Sequence, residues 1–433
     1  MTRFQKYRRL VLCLFLISLA GLGVCGYLFL RDQVPDHILV EEGDTSPSVF
    51  HYPYSSFIEE ETVEAGSRGN SDIPEGQLHM ERPEGSFSSE NDGEKKENSD
   101  GKLAIQCSVF GVIPLKTVQV ETVQRQKLYA GGTPVGIYIR TSGILVIGTG
   151  EVEGMDRQTY EPAEHIVKSG DYILEADGHP LENKEELVEC IQNLEGRDLC
   201  LEVLRDGVPT ELTVTPVQTA DKSYKAGIWV RNDAQGVGTL TYVDESGNFG
   251  ALGHGISDVD TSTLLSLKEG KLYEAEVVSV KKGQKGEPGE LSGIIYYGDS
   301  SLLGSITENT VSGIFGTFTD NPPEIELRQY AVAYKQEVKT GPAQILCSVD
   351  GTVREYDVRI DSVEMNKKEM NKGMVIQVTD EELLEKTGGI VQGMSGSPII
   401  QDGKLVGAVT HVLVNDPTRG YGIFIENMLD AVG

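Results

Sequence analysis

The chain has 433 residues and a formal net charge of −29 at pH 7. This length exceeds the usual limit for one hydrophobic core, so we expect two or three domains. The charge excludes nucleic acid as a partner, because phosphate binding requires an excess of positive charge. Much of the excess is local: residues 41–100 contain 16 Asp or Glu against 4 Lys or Arg, which indicates a solvated segment rather than a recognition surface.

The amino-terminal residues predict a membrane anchor. A basic end at residues 1–9 precedes an uncharged run of 21 residues, 10–30, which is long enough to cross a bilayer as a helix. The basic flank predicts that this short end stays in the cytoplasm and that the rest of the chain is exported. A cleaved signal peptide is the alternative. The run is longer than a signal-peptide core, however, and no Ala-x-Ala-like site follows Leu30.

Residues 31–103 predict an acidic, disordered tether. They are rich in Glu, Ser, Gly, Asp and Pro and show no sustained apolar periodicity. Such a segment cannot bury enough apolar surface to offset the entropy of ordering. Flexible segments are readily cut by proteases, so cleavage here would release the downstream domains.

The six cysteines indicate neither a metal site nor a disulfide framework. Cys13 and Cys25 lie within the apolar run, and the other four are scattered without a Cys-x-x-Cys pair. No histidine stands at metal-ligand spacing from them. A disulfide between Cys190 and Cys200 is compatible with an exported domain. We therefore expect no metal and no cofactor.

Residues 107–218 are predicted to form a PDZ-like domain. Short strands surround an amphipathic helix at 185–194, and the stretch 168–181 (KSGDYILEADGHPL) resembles the Gly-Asp stretch of PDZ domains. PDZ domains bind extended peptides by adding a strand beside a helix. The resemblance implies that a peptide would lie along Gly136, Ile137, Tyr138 and Ile139, against the helix. A structural spacer with a closed groove is the alternative.

Residues 221–433 are predicted to form a second, mainly β domain. Apolar runs alternate with turn signals such as Asp402-Gly403, and helical patterns are confined to 381–386 and 425–432. An all-β double barrel of about 200–250 residues fits this length.

The hexapeptide 393–398, Gly-Met-Ser-Gly-Ser-Pro, resembles the Gly-Asp-Ser-Gly-Gly-Pro motif of trypsin-like proteases. By this alignment Ser395 is the nucleophile, and the N–H groups of Gly393 and Ser395 form an oxyanion hole. Ser397 occupies a glycine position, and Met394 replaces the acid that often precedes the serine. The resemblance implies a trypsin-like double β-barrel peptidase.

Only two of the seven histidines, His254 and His411, lie in the second domain. His254 follows an apolar strand between two glycines, which is where this fold carries its general base. His411 follows the serine by 16 residues and is predicted to line the site or the edge of a core. Chain order leaves the acid open among Asp258, Asp260, Asp320, Asp361 and Asp380.

Three longer stretches, 250–258, 387–401 and 407–417, resemble the stage IV sporulation protein B peptidases, which are serine peptidases of endospore-forming Firmicutes. The resemblance covers the anchor, the PDZ-like region and the second domain, but not the tether. The acid of this family lies in a Val-Thr-Asp segment, which here ends at Asp380, 15 residues before Ser395. The resemblance therefore implies a triad of His254, Asp380 and Ser395.

The resemblance also implies a biological role. A forespore-made, membrane-tethered serine endopeptidase would act in the space between the two spore membranes. It would cleave a membrane-anchored regulator of an intramembrane metalloprotease and so trigger sigma-factor processing; its own chain is a second candidate substrate. The alternative is a non-catalytic PDZ signalling module with a degenerate protease domain. No residue is assigned to the pocket that determines cleavage specificity.

Overall fold

The computed structural model describes residues 3–41, 54–59, 103–109, 112–366 and 368–432. The chain divides at Val123 into two compact units. Most of the predicted tether, residues 42–53 and 60–102, lies outside the described residues.

The first unit consists of one long helix and a small sheet. Helix α1 (Arg3–Gln33) is followed by β1 (His37–Glu41), β2 (Tyr54–Glu59), β3 (Leu103–Val109) and β4 (Ile113–Val123), in the sheet order β1-β4-β3-β2. Within α1, Tyr7–Asp32 is long and apolar enough to cross a membrane. β1 and β2 are strands within the segment predicted as tether, and the end of β3 and all of β4 fall within the range predicted as PDZ-like. Both boundaries therefore differ from the prediction.

The second unit contains the remaining strands and three short α-helices. In chain order they are β5 (Lys127–Ala130), β6 (Pro134–Thr149), β7 (Val152–Glu153), β8 (Thr159–Tyr160), β9 (Tyr172–Ala176), β10 (His179–Pro180), α2 (Lys184–Asn193), β11 (Leu199–Arg205), β12 (Val208–Val214), β13 (Val217–Gln218), β14 (Tyr224–Lys225), β15 (Ile228–Val243), β16 (Asn248–Ala251), β17 (Leu267–Lys281), β18 (Glu290–Ile295), β19 (Leu302–Thr310), β20 (Gly313–Phe318), β21 (Arg328–Val332), β22 (Gly341–Ser348), β23 (Val353–Val363), β24 (Met374–Val378), α3 (Glu381–Thr387), β25 (Pro398–Gln401), β26 (Lys404–Leu413), β27 (Asp416–Phe424) and α4 (Ile425–Leu429).

Two closed rings of six antiparallel strands form the centre of the second unit. The first barrel runs β15-β6-β17-β19-β20-β16 and closes on β15. The second runs β22-β23-β24-β27-β26-β25 and closes on β22. Each encloses its own apolar core, with Ile139 and Phe249 in the first and Ile376 and Ile399 in the second. The prediction of a mainly β, trypsin-like double barrel is confirmed.

A small module is inserted into the first barrel through β6 and β15. The first half of β6 lies between β15 and β17 in the barrel, whereas its second half pairs with β9 and with the start of β15. Residues 143–231 have a separate core, which includes Ile173, Leu187 and Leu201. The barrel thus uses chain on both sides of the module, and it begins well before the boundary predicted at residue 221.

The peptide-binding role predicted for Gly136, Ile137, Tyr138 and Ile139 is wrong. These residues are paired on one edge with β15 and on the other with β17, so neither edge can accept an added strand. The strand belongs to the barrel rather than to the module. Helix α2 confirms the helix predicted at 185–194. The Gln192 side chain on α2 accepts from the Tyr224 N–H at 2.9 Å and donates to the Tyr224 carbonyl at 2.7 Å.

Candidate active site

Ser395 lies in a tight turn between α3 and β25, just before the chain returns to the second barrel at β25. Gly393 and Gly396 on either side have φ values of 98° and 96°, a conformation that side chains rarely adopt. A Cβ at Gly396 would also collide with the carbonyl oxygen of Thr239. The glycines of the motif are therefore required by the turn that exposes Ser395.

Strand β15 of the first barrel holds this turn in place. The Thr239 hydroxyl donates to the carbonyl of Gly393 at 2.8 Å, and the Thr239 N–H donates to the carbonyl of Ser395 at 3.0 Å. The Thr241 hydroxyl donates to the carbonyl of Gly396 at 2.8 Å. The sequence analysis missed both threonines. Their alternate positions on one apolar strand place them on the same face and are the signal that could have indicated a shared role.

The Met394 departure from the trypsin-like motif has a packing explanation. The Met394 side chain is fully buried in the core of the second barrel, where a carboxylate would be unpaired and costly. Ser397, which stands in a glycine position of the motif, is also fully buried. Both replacements therefore face the interior and leave the side of the turn that carries Ser395 unchanged.

The Ser395 hydroxyl does not point at an imidazole in this structure. Its Oγ donates to the carbonyl oxygen of Thr410, on β26, at 2.7 Å. The backbone N–H groups of Gly393 and Ser395 have no protein acceptor among the described residues, whereas the N–H groups of Met394 and Gly396 are bonded to carbonyls. Two free N–H groups beside a serine can receive a developing oxyanion.

His254 lies just after β16, across the cavity from the serine turn. Its Nδ1 is 2.9 Å from the carbonyl oxygen of Gly255. A carbonyl oxygen can only accept, so Nδ1 carries the proton and Nε2 keeps its lone pair. Burial lowers the pKa of His254, and the hydrogen bond to Gly255 opposes this only in part. The ring is therefore a neutral base at neutral pH.

His411 lies beside His254, as its predicted place at the site requires. The two ring centroids are 4.8 Å apart, and the ring planes are inclined by 37°. Within the described part of the chain, Nδ1 of His411 is buried without a hydrogen-bond partner. Burial, with His254 and Lys372 nearby, lowers the pKa of His411 to about 4. Both imidazoles are therefore uncharged at neutral pH.

One cavity of about 440 Å³ brings Ser395, His254 and His411 together. Most of the rest of its wall is apolar or backbone, and no Asp or Glu of the described residues lines it. A second hollow of about 530 Å³ adjoins it. Gly393 and Gln392 line both spaces, so the predicted oxyanion hole lies where the two meet.

The structure does not bring Asp380 to this cavity. Asp380 is the N-cap of α3: its Oδ1 accepts from the Leu383 N–H at 2.9 Å, and its Oδ2 accepts from the Asp357 N–H at 3.3 Å. The seven residues of α3, about 10 Å of helix, lie between Asp380 and the cavity wall at Ile390. The triad role predicted for Asp380 has no geometric support here.

The other candidate acids also fail to reach His254. Asp258 is buried against Arg231 and accepts from two backbone N–H groups of its own loop, and Asp260 pairs with the same arginine at 3.1 Å. Asp361 lies 2.8 Å from both Arg359 and Arg419. Asp320 is exposed and does not line the cavity.

Two further expectations concern metals and thiols. The described residues contain no group of three or more His, Cys, Asp or Glu side chains that could hold a metal ion. Cys190 and Cys200, the predicted disulfide candidates, are free thiols in the structure.

Comparison with known proteins adds one family and a set of solved structures. Residues 222–429 match the model of a family described as SpoIVB peptidase S55. No curated protein matches the chain. The active form of the Rv3671c protease from M. tuberculosis is similar at 15% identity, covering 46% of this chain and 75% of that one, with a TM-score of 0.26. Its inactive form is similar at 16% identity over 46% and 84%, with a TM-score of 0.24.

Proposed function

We propose that this chain is a membrane-tethered serine endopeptidase of sporulation signalling, because residues 222–429 match the SpoIVB peptidase S55 family model. The observation that carries the proposal is the single cavity lined by Ser395 and His254. A nucleophile and a neutral base beside two free N–H groups are the components that acyl transfer requires.

In the proposed reaction, the Ser395 hydroxyl leaves the Thr410 carbonyl and attacks a peptide carbonyl. Nε2 of His254 takes the hydroxyl proton, and the N–H groups of Gly393 and Ser395 receive the oxyanion. The His254 imidazolium then gives its proton to the leaving amine, and the acyl-enzyme is hydrolysed by the same sequence with water as the nucleophile.

We propose that the carbonyl of Gly255, rather than a carboxylate, orients His254. The hydrogen bond at Nδ1 fixes the tautomer, which is one of the two tasks of the acid in a triad. The other task of the acid is to stabilise the imidazolium. The Gly255 carbonyl is a neutral dipole and stabilises that charge less than a carboxylate would. The proposal is therefore a Ser395–His254 dyad, with Asp380 as a helix cap.

The sporulation role rests on the family and on the amino-terminal helix. The S55 family match supports action on a regulatory protein during sporulation, and α1 supports a membrane tether. We place the peptidase on the exported side, in the forespore intermembrane space, with a membrane-anchored regulator of an intramembrane metalloprotease as substrate. Cleavage of its own tether would release the soluble part.

Labelling with a fluorophosphonate tests the activity directly. We expect the full-length chain in detergent to be labelled, and Ser395→Ala and His254→Ala to remain unlabelled, because the probe requires an activated serine. Exposed Ser246 on the first barrel, replaced by Ala, is the matched control and should label normally. A folded wild-type chain that never labels would instead favour the non-catalytic signalling module.

The substrate is tested in sporulating cells. We expect fragments of one membrane-anchored regulator to accumulate with the wild-type chain and to be absent with Ser395→Ala. Identical fragments in both strains would contradict the signalling role and leave the peptidase activity standing.

A further inference from the structure

We propose that the cavity beside Ser395 binds the side chain of the residue whose carbonyl is attacked, and that it selects an uncharged, apolar side chain. The inference rests on the proposed peptidase function and deepens it, because it states the class of substrate that this site accepts. The first step is to decide which side of the cleaved bond lies in this cavity.

The Thr410 carbonyl indicates the orientation of the peptide. It accepts the Ser395 hydroxyl at 2.7 Å, so it lies within reach of a donor placed next to the attacked carbonyl carbon. In an extended peptide, the N–H of the residue that owns this carbonyl is separated from the carbonyl carbon by only the Cα atom. That N–H can replace the hydroxyl as donor to Thr410, which also frees Oγ for attack. The acyl residue therefore lies against the Thr410–Val412 segment.

The wall of the cavity on that side is aliphatic. Ile390, Val391, Val412, Val414 and Pro288 line it, and in the part of the chain that the structure describes no Asp, Glu, Lys or Arg does. An ionised side chain seated there would lose its hydration without gaining an ion pair, which is strongly unfavourable. The cavity thus rejects charged residues by desolvation and binds apolar ones by burial.

The pocket is formed before any substrate arrives. Ile390 and Val391 are 2% and 1% exposed and belong to the core of the second barrel. Gly420 makes room for this wall, because a Cβ there would lie 2.6 Å from Cδ1 of Ile390. The wall formed by this segment is therefore held in place by packing into the core.

The hollow on the far side of Gly393 has a different character. Glu290, Ser292 and Tyr297 line this hollow and not the cavity, so it presents polar and aromatic groups. A peptide that crosses the nucleophile passes from the aliphatic cavity into this hollow. The apolar requirement therefore applies to the acyl side of the cleaved bond and not to the leaving side.

The test measures cleavage of a peptide library by the full-length chain in detergent, with fluorophosphonate labelling of the same samples. We expect cleavage after Val, Ile, Leu or Met to exceed cleavage after Lys, Arg, Asp or Glu by at least about 100-fold in kcat/KM. Val412→Asp should raise the ratio of Lys to Leu cleavage by about tenfold or more. Val188→Asp, which changes a 54% exposed valine on α2, should leave the ratio unchanged.

The outcomes separate this inference from the proposed function. Normal labelling with preferred cleavage after charged residues overturns the apolar pocket while the peptidase stands. An unlabelled, inactive wild-type chain overturns both. If Val412→Asp does not fold, Val414→Asp carries the same test, because Val414 is 49% exposed and tolerates a carboxylate. A folded variant with an unchanged preference shows that this cavity does not hold the acyl residue.

Discussion

Ser395 and His254 each have a backbone carbonyl as their hydrogen-bond partner, and this sets the chemistry of the site. The Thr410 carbonyl holds the nucleophile, and the Gly255 carbonyl holds the base. Neither partner can be protonated, so both contacts persist across the physiological pH range. The consequence at the residue scale is a resting site in which both groups are neutral.

Replacing Asp380 distinguishes a helix cap from a triad acid. Asparagine also caps helices, so Asp380→Asn should keep its fluorophosphonate labelling rate within about twofold of wild type. Asp380→Ala should lower the free energy of unfolding by about 1 kcal/mol, because the Leu383 N–H loses its acceptor. Loss of labelling in a folded Asp380→Asn chain would restore the triad and contradict the dyad.

The pH dependence follows from the lowered pKa of His254. The base must be neutral, and burial places its pKa below the ordinary value of 6.5. We therefore expect the labelling rate to fall on the acid side with its half-maximal value below pH 6.5, as measured between about pH 4 and pH 9. His411 packs against His254 and has Lys372 nearby, so His411→Gln is the control for the second ring. A half-maximal rate above pH 6.5 would contradict a desolvated base.

At the scale of elements, the site depends on hydrogen bonds from a strand of the first barrel to the nucleophile turn of the second. β15 belongs to the first barrel, yet Thr239 and Thr241 bind three carbonyls in the nucleophile turn of the second. The turn is therefore positioned by the contact between barrels, not only by its own glycines.

Removing one hydroxyl from β15 tests this contact. Thr239→Val keeps the side-chain shape and the backbone bond to Ser395, but it leaves the Gly393 carbonyl without its donor. We expect about 1 kcal/mol less stability and a labelling rate about tenfold lower, because the turn that carries the oxyanion donors loses one of the hydrogen bonds that hold it. Exposed Thr317 replaced by Val is the matched control. Unchanged labelling in Thr239→Val would show that the glycines alone set the turn.

Local sequence patterns predicted where helices, strands and turns form better than they predicted which strands pair with one another. The helix at 185–194, the apolar strand that precedes His254 and the serine turn followed from periodicity and turn residues. The sequence could not predict which strands residues 136–139 pair with. Their alternation of side chains would be the same beside β17 as beside a bound peptide. Similarly, the Thr-Asp-Glu-Glu sequence at 379–382 is an N-cap pattern, but family resemblance gave Asp380 a different role.

At the scale of the whole molecule, a third apolar cluster spans the two barrels. It includes Tyr242 and Phe315 from the first barrel, Ala408 and Ile423 from the second, and Met428 from α4. Glu426, in the first turn of α4, is buried next to this cluster and accepts from the backbone N–H of Lys335. A buried carboxylate at this position makes the stability of the assembled barrels sensitive to pH.

The raised pKa of Glu426 determines the sign of that dependence. Burial, with Asp430 and Glu337 nearby, raises it from 4.5 to about 7. Between these values the folded chain binds more protons than the unfolded chain, so stability falls as the pH rises from 4.5 through 7. Glu426→Gln should remove most of this loss, about 2–3 kcal/mol, as measured by denaturation at pH 5 and pH 8. An identical pH dependence in the variant and the wild type would contradict the assignment.

The inserted module enters and leaves the first barrel through neighbouring strands. Arg140 on β6 stands opposite Asp233 on β15, so the two crossing points are one hydrogen-bonded pair apart. A plain hairpin turn could join them, so a double barrel without the module would need no other change. A different module at this point would leave the cavity lined by Ser395 and His254 the same. The module and the active site can therefore change independently of each other.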